Sequence, residues 1–122
     1  MPGHYVWSVP LIRLFVLDAI CDDYENVDQV ILRHVAGYCA KLGMAVYRSD
    51  VVKALHQLVE SGMAKAYRLY STEPFKEDLE GMPPLEVAET DFGTYFYITK
   101  KGMERHLSDD GWPFDEDGEP LI

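Results

Sequence analysis

The stretch from Tyr47 to Tyr70, YRSDVVKALHQLVESGMAKAYRLY, passes from a helical to a strand pattern with almost no linker, and this leaves few architectures open. Val51, Ala54, Leu55, Leu58 and Val59 recur at steps of three and four and so share one helix face, with Asp50, Lys53, Gln57 and Glu60 on the other. Ser49 can offer its hydroxyl to the free amides of a first turn. Asp50 adds a negative charge where the helix dipole favours one, so the helix is predicted to open at Ser49. Gly62 follows the last periodic residue as a C-terminal cap would, and Tyr67, Leu69 and Tyr70 then read as a strand. Such a chain must pack a helix on a sheet that the same helix runs into.

The flanking segments supply the cover. Leu11 to Ile20 is apolar round nearly its whole circumference, with Pro10 suited to its first turn, and a helix of that kind is buried on more than one side. A second subunit is one possible cover and the chain's own core the other. Tyr5, Trp7 and Val9 alternate, as in a short strand or an extended arm that either clasps a second copy or lies on its own domain. Asn26 is expected to cap a helix from about Val27 to Tyr38, with Val27, Val30, Ile31, Val35 and Tyr38 inward. Asp22, Asp23, Glu25 and Asp28 around that cap lack the glycine and terminal glutamate of a calcium loop and read as a solvated turn. Further on, Thr72, Phe75, Leu79 and Gly81 suggest a short helix, and Leu85 to Thr90 alternates as a strand would. Thr94 to Ile98 is the strongest strand signal, after which Thr99 caps a last helix with Met103 and Leu107 inward.

At 122 residues the chain suits one domain, residues 1–108, followed by an acidic tail, 109–122, whose Trp112 and Phe114 favour docking over free solvation. The longest apolar run is about half of what a membrane span requires, so no membrane partner is expected. Cys21 and Cys39 have no metal spacing and suit reduced thiols in a cytoplasmic protein. The four histidines, His4, His34, His56 and His106, are dispersed, and no nucleophile elbow, phosphate-binding glycine loop, zinc set or HExxH motif occurs. No catalytic residue, cofactor or metal is therefore assigned, and the chain is not read as an enzyme. The net charge is −10, yet residues 41–70 carry +3, from Lys41, Arg48, Lys53, Lys65 and Arg68 against Asp50 and Glu60. The locally positive segment is the predicted helix from Ser49 and the strand that follows it.

Two segments resemble winged helix-turn-helix domains: Ala54 to Ala64, with the pattern AL-xx-L-xxx-G-x-A, and Tyr95 to Gly102, YFYITKKG. The first is similar to a recognition helix and first wing strand. The second is similar to a closing wing strand and the T-x-x-G helix start after it. The spacing is similar to PadR-like and MarR-like bacterial regulators. The resemblance implies an α+β fold, mostly α: a three-helix core with a small antiparallel β-hairpin wing and a short C-terminal helix. It also implies a DNA-binding transcriptional regulator with double-stranded DNA as partner, and the apolar helix 11–20 and the N-terminal arm are the expected contacts of a homodimer. Arg48, Ser49, Lys53 and Gln57 would then lie toward the major groove and Lys65 and Arg68 beside it. The insertion 71–92 carries seven acids against Lys76, where such wings are usually basic. With the acidic total, that favours the alternative of a winged-helix module for protein-protein contact.

Overall fold

The computed structural model describes residues 4–69, 71–73, 75–82, 94–108 and 110–121, with side chains from Leu11 onward. The chain folds as α1 (His4–Ala19), a π-helical turn (Val27–Ile31) running into α2 (Leu32–Lys41), α3 (Arg48–Glu60), β1 (Ala64–Leu69), β2 (Lys76–Asp78), β3 (Thr94–Ile98) and α4 (Lys100–Leu107). The sheet is antiparallel in the order β2-β1-β3, so the fold is α+β as expected.

Three local signals that rest on one or two residues hold. Asn26 caps the second helical segment, its Oδ1 accepting from the amides of Asp28 at 3.0 Å and Gln29 at 3.2 Å, while its Nδ2 donates to the Thr94 carbonyl in β3. Glu25 pairs its backbone with Phe96 in both directions, so the acidic turn is also stitched to the sheet. Thr99 Oγ1 accepts from the Gly102 amide and donates to the Gly62 carbonyl at 2.6 Å, which joins the start of α4 to the end of α3. Gly62 itself has φ +79°. Its amide reaches the Val59 carbonyl and the Met63 amide reaches Leu58, the paired bonds of a Schellman ending. Gly62→Ala is expected to cost about 1–2 kcal/mol, because an L side chain resists the left-handed backbone. A lower urea midpoint with an unchanged slope would be the sign of it.

Five expectations are corrected. The N-terminal arm is helix from His4 on, and Pro10 lies inside α1 rather than in its first turn. Three alternating residues are too few to fix a period of two, and the favoured place of proline in a first turn is a preference only. The cap of α3 is Tyr47, not Ser49: the Asp50 carboxylate accepts from the Tyr47 amide at 2.9 Å and closes the first turn from within. The short helix expected between Thr72 and Gly81 is instead a tight turn followed by β2, with Tyr67 opposite Asp78 and Leu69 opposite Lys76. Phe75 carries a positive φ of 59° and is exposed, which helix spacing with Leu79 could not foretell. Leu107, expected inward, is 70% exposed. The strand expected at Leu85 to Thr90 lies outside the described residues.

The core forms where the helices meet the sheet. Phe15, Val16, Leu17 and Ile20 of α1 and its end are at most 1% exposed, packed with Ile31, Val35, Val51, Leu55 and Phe96. Burying a side chain of this size contributes about 1.5–3 kcal/mol. α1 is thus the central helix, in contact with α2, α3 and α4. Its own chain covers residues 11–20, so they no longer argue for a second subunit. No described helix is long and apolar enough to cross a membrane.

Both cysteines are free. Burial, helped by the nearby Asp50 charge, pushes the Cys39 thiol up to about 11. The histidines do not all stay apart. Asp18 near the end of α1 accepts from His34 Nε2 and from the Tyr38 hydroxyl, both at 2.7 Å, and has His106 of α4 at 3.6 Å. Burial works against the Asp18 charge, but the bonds from His34 and Tyr38 and the two nearby histidines outweigh it and hold the carboxyl below its usual range.

Candidate nucleic-acid interface

α3 lies with Val51, Ala54, Leu55 and Leu58 in the core. Its opposite side lines a shallow groove of about 530 Å³ formed by Arg48, Ser49, Val52, Lys53, His56, Gln57 and Glu60. The helical repeat explains the set: Ser49, Lys53 and Gln57 lie four apart, and Val52, His56 and Glu60 form a second row beside them. No described segment closes over this face.

The structure brings four of the six sequence-selected residues together in that groove and separates the other two. Ser49 and Lys53 are exposed, and neither side chain makes a hydrogen bond or ion pair among the described residues. Arg48 is already engaged: its guanidinium makes a two-pronged contact with Asp28, at 2.8 Å and 3.3 Å, with both side chains about a quarter exposed or less. The Gln57 carbonyl accepts from Arg13 of α1 at 2.8 Å, leaving its amide N–H groups as the side that can donate outward. Lys65 and Arg68 differ by an odd number of residues along β1 and therefore project to opposite faces of the sheet. Lys65 pairs with Asp78 of β2 at 3.1 Å, and Arg68 approaches the Thr94 hydroxyl at 3.4 Å on the core side.

Three groove residues were not selected from the sequence. His56 and Glu60 form an i,i+4 pair on the exposed surface, and Val52 supplies an apolar floor that is 8% exposed. The helical period that placed Lys53 and Gln57 on this side also placed these, so the signal was present. Arg13 carried no such signal, because it reaches the groove edge from α1. Comparison with family models, curated proteins and solved structures finds no match to this chain.

Proposed function

We propose that this chain is a winged helix-turn-helix module of a transcriptional regulator, and that it works by binding duplex DNA, not by chemistry. In this reading α2 and α3 are the helix pair, β1 and β3 the strands of the wing, and α3 the recognition helix. The observation that carries it is the uncovered face of α3, with Ser49, Lys53 and the Gln57 amide presented along one side of a helix whose other side is anchored in the core. A single helix of this kind fits the major groove, where Gln57 and Ser49 meet base edges and Lys53 meets a phosphate. Two copies would set two such helices about one helical turn of DNA apart.

A second reading has its own observation. Arg48 is neutralised by Asp28, Glu60 stands in the groove, and β2 exposes Glu77 and Asp78. A face of mixed charge on a chain of net charge −10 suits a protein partner better than a polyanion.

Titration of the full chain into a fluorescent mixed-sequence duplex at low salt separates the two. The DNA reading expects binding whose affinity drops as salt rises, with a slope of about −0.9 per phosphate neutralised. Lys53→Ala should weaken binding to all sequences alike and reduce that slope by about 1. Absence of binding at low salt removes the DNA reading and leaves the protein-docking one.

A further inference from the structure

Asp18 at the end of α1, Cys21 in the turn that follows and His106 in the last turn of α4 bring one potential ligand atom each to within 4.8 Å of the others. All three side chains are half-buried, between fully covered and open. The two oxygens of Asp18 have different surroundings. Oδ2 takes hydrogen bonds from His34 Nε2 and the Tyr38 hydroxyl, both on α2, at 2.7 Å. Oδ1 is turned toward α4, where His106 Nε2 stands at 3.6 Å, beyond hydrogen-bond reach. The His106 side chain makes no hydrogen bond among the described residues. Cys21 is held beside the same carboxylate, its Sγ–H donating to the Asp18 backbone carbonyl at 3.1 Å.

We propose that Asp18 Oδ1, Cys21 Sγ and His106 Nε2 form a binding site for a zinc-type divalent transition metal ion, with water in the fourth position. One carboxylate, one thiolate and one imidazole is a donor set that zinc accepts, and three protein ligands leave a position open. Ligand atoms at zinc bond lengths of about 2.0–2.3 Å in a tetrahedron lie about 3.3–3.8 Å from one another. The Oδ1 to Nε2 separation of 3.6 Å already falls in that range. The sulfur lies within 4.8 Å of a carboxylate oxygen of Asp18 and a ring nitrogen of His106, so a closure of about 1.5 Å brings it to bonding geometry with that pair. That shift is open to a residue in a turn. On binding, the thiol gives up its proton to solvent, and its hydrogen bond to the Asp18 carbonyl is exchanged for the bond to the metal.

His34 and Tyr38 are positioning residues in this site. Both must donate to Oδ2, since an ionised carboxylate only accepts, and together they fix the plane of the carboxylate so that Oδ1 faces α4. The ion would therefore tie α1, its following turn and α4 together, with α2 as the outer support. None of the three ligands lies on the exposed face of α3, so this site and the groove stand or fall separately.

The test is a cobalt(II) titration of the metal-free full chain followed by absorption spectroscopy. A thiolate-to-cobalt charge-transfer band, visible bands of four-coordinate intensity, and loss of both on adding zinc(II) are the expected results. This measurement needs no variant, so it stands even if a variant folds poorly. Cys21→Ser should remove the charge-transfer band, whereas Cys39→Ser, which changes the buried thiol outside the cluster, should keep it. His106→Gln should weaken zinc binding by more than about 100-fold. His34→Ala should weaken it by about 10–100-fold while the band remains, as expected for an outer partner. A native chain without the charge-transfer band at saturating cobalt, a band that survives Cys21→Ser, or zinc affinity unchanged in His106→Gln would each overturn the site.

Discussion

Gly102→Ala is expected to destabilise the chain by about 1–3 kcal/mol, although the substitution replaces the poorest common helix former with the best. A Cβ built at this position would stand 2.1 Å from the Met63 carbonyl oxygen and 2.7 Å from Ile98 Cγ1. The first neighbour is backbone and cannot turn aside. Relief would require α4 to lift from the junction between α3 and β1. That junction is where Thr99 bonds to both the Gly102 amide and the Gly62 carbonyl, and where Lys101 Nζ reaches the Ser61 carbonyl at 2.7 Å. The gain in helix propensity is at most about 1 kcal/mol, so the clash decides the sign. In urea the midpoint should fall with the slope unchanged. On heating, the midpoint should drop by about 4 °C for each kcal/mol lost. An equal or higher midpoint would mean that α4 is not seated as described.

The same residue shows what the sequence made legible. The T-x-x-G pattern at Thr99 to Gly102 marked a helix start, and Asn26 and Gly62 marked a cap and an ending, because each is a local arrangement that a few adjacent residues complete. Thr94 to Ile98 was legible for a related reason: the run is β-branched and aromatic throughout, and β3 buries every second residue. What stayed hidden depends on residues far apart in the chain. Nothing in Tyr47 announces a cap, since its role comes from the Asp50 carboxylate reaching back to it. β2 exists because β1 offers it a free edge, while its own three residues, Lys76, Glu77 and Asp78, have weak strand preferences.

The candidate site divides along the same line. Periodicity identified the side of α3 that faces solvent, and Ser49, Lys53 and Gln57 share it. Whether a charge on that side is available is a tertiary question: Asp28 claims Arg48 and Asp78 claims Lys65. At least two of the five cations in residues 41–70 are thus paired with a carboxylate, so a locally positive sequence overstates the positive surface. His34 and His106 were likewise invisible as a pair, because they meet only where α2 and α4 both pack on α1.

Phe114→Ala is expected to have the largest effect on stability of any single change considered, about 3–5 kcal/mol if the tail stays docked. The acidic segment after α4 does not simply solvate the chain. Phe114 is 6% exposed and lies 5.3 Å from the ring of Tyr38 and 6.0 Å from that of Phe15, while Trp112 meets Phe15 edge-on at 5.6 Å. Arranged edge-on or tilted, such rings contribute about 0.5–1.5 kcal/mol per pair beyond the area they bury. Asp115 shapes the segment that carries them, its Oδ1 accepting from the amides of Asp117 and Glu119. Lys41 holds its far side through the Gly118 carbonyl at 3.0 Å and lies over the Phe114 ring. If this segment detaches while the rest stays folded, the loss is limited to the free energy of its docking. Two measurements distinguish these limits. Global destabilisation lowers the urea midpoint by the full amount, whereas detachment leaves a smaller drop and makes the backbone from Asp110 to Trp112 newly open to protease. Leu121→Ala, at a site 63% exposed, should stay within about 0.5 kcal/mol of the parent. If Phe114→Ala were equally mild and gained no cleavage, the aromatic side chains would have no part in holding α1 and α2 together.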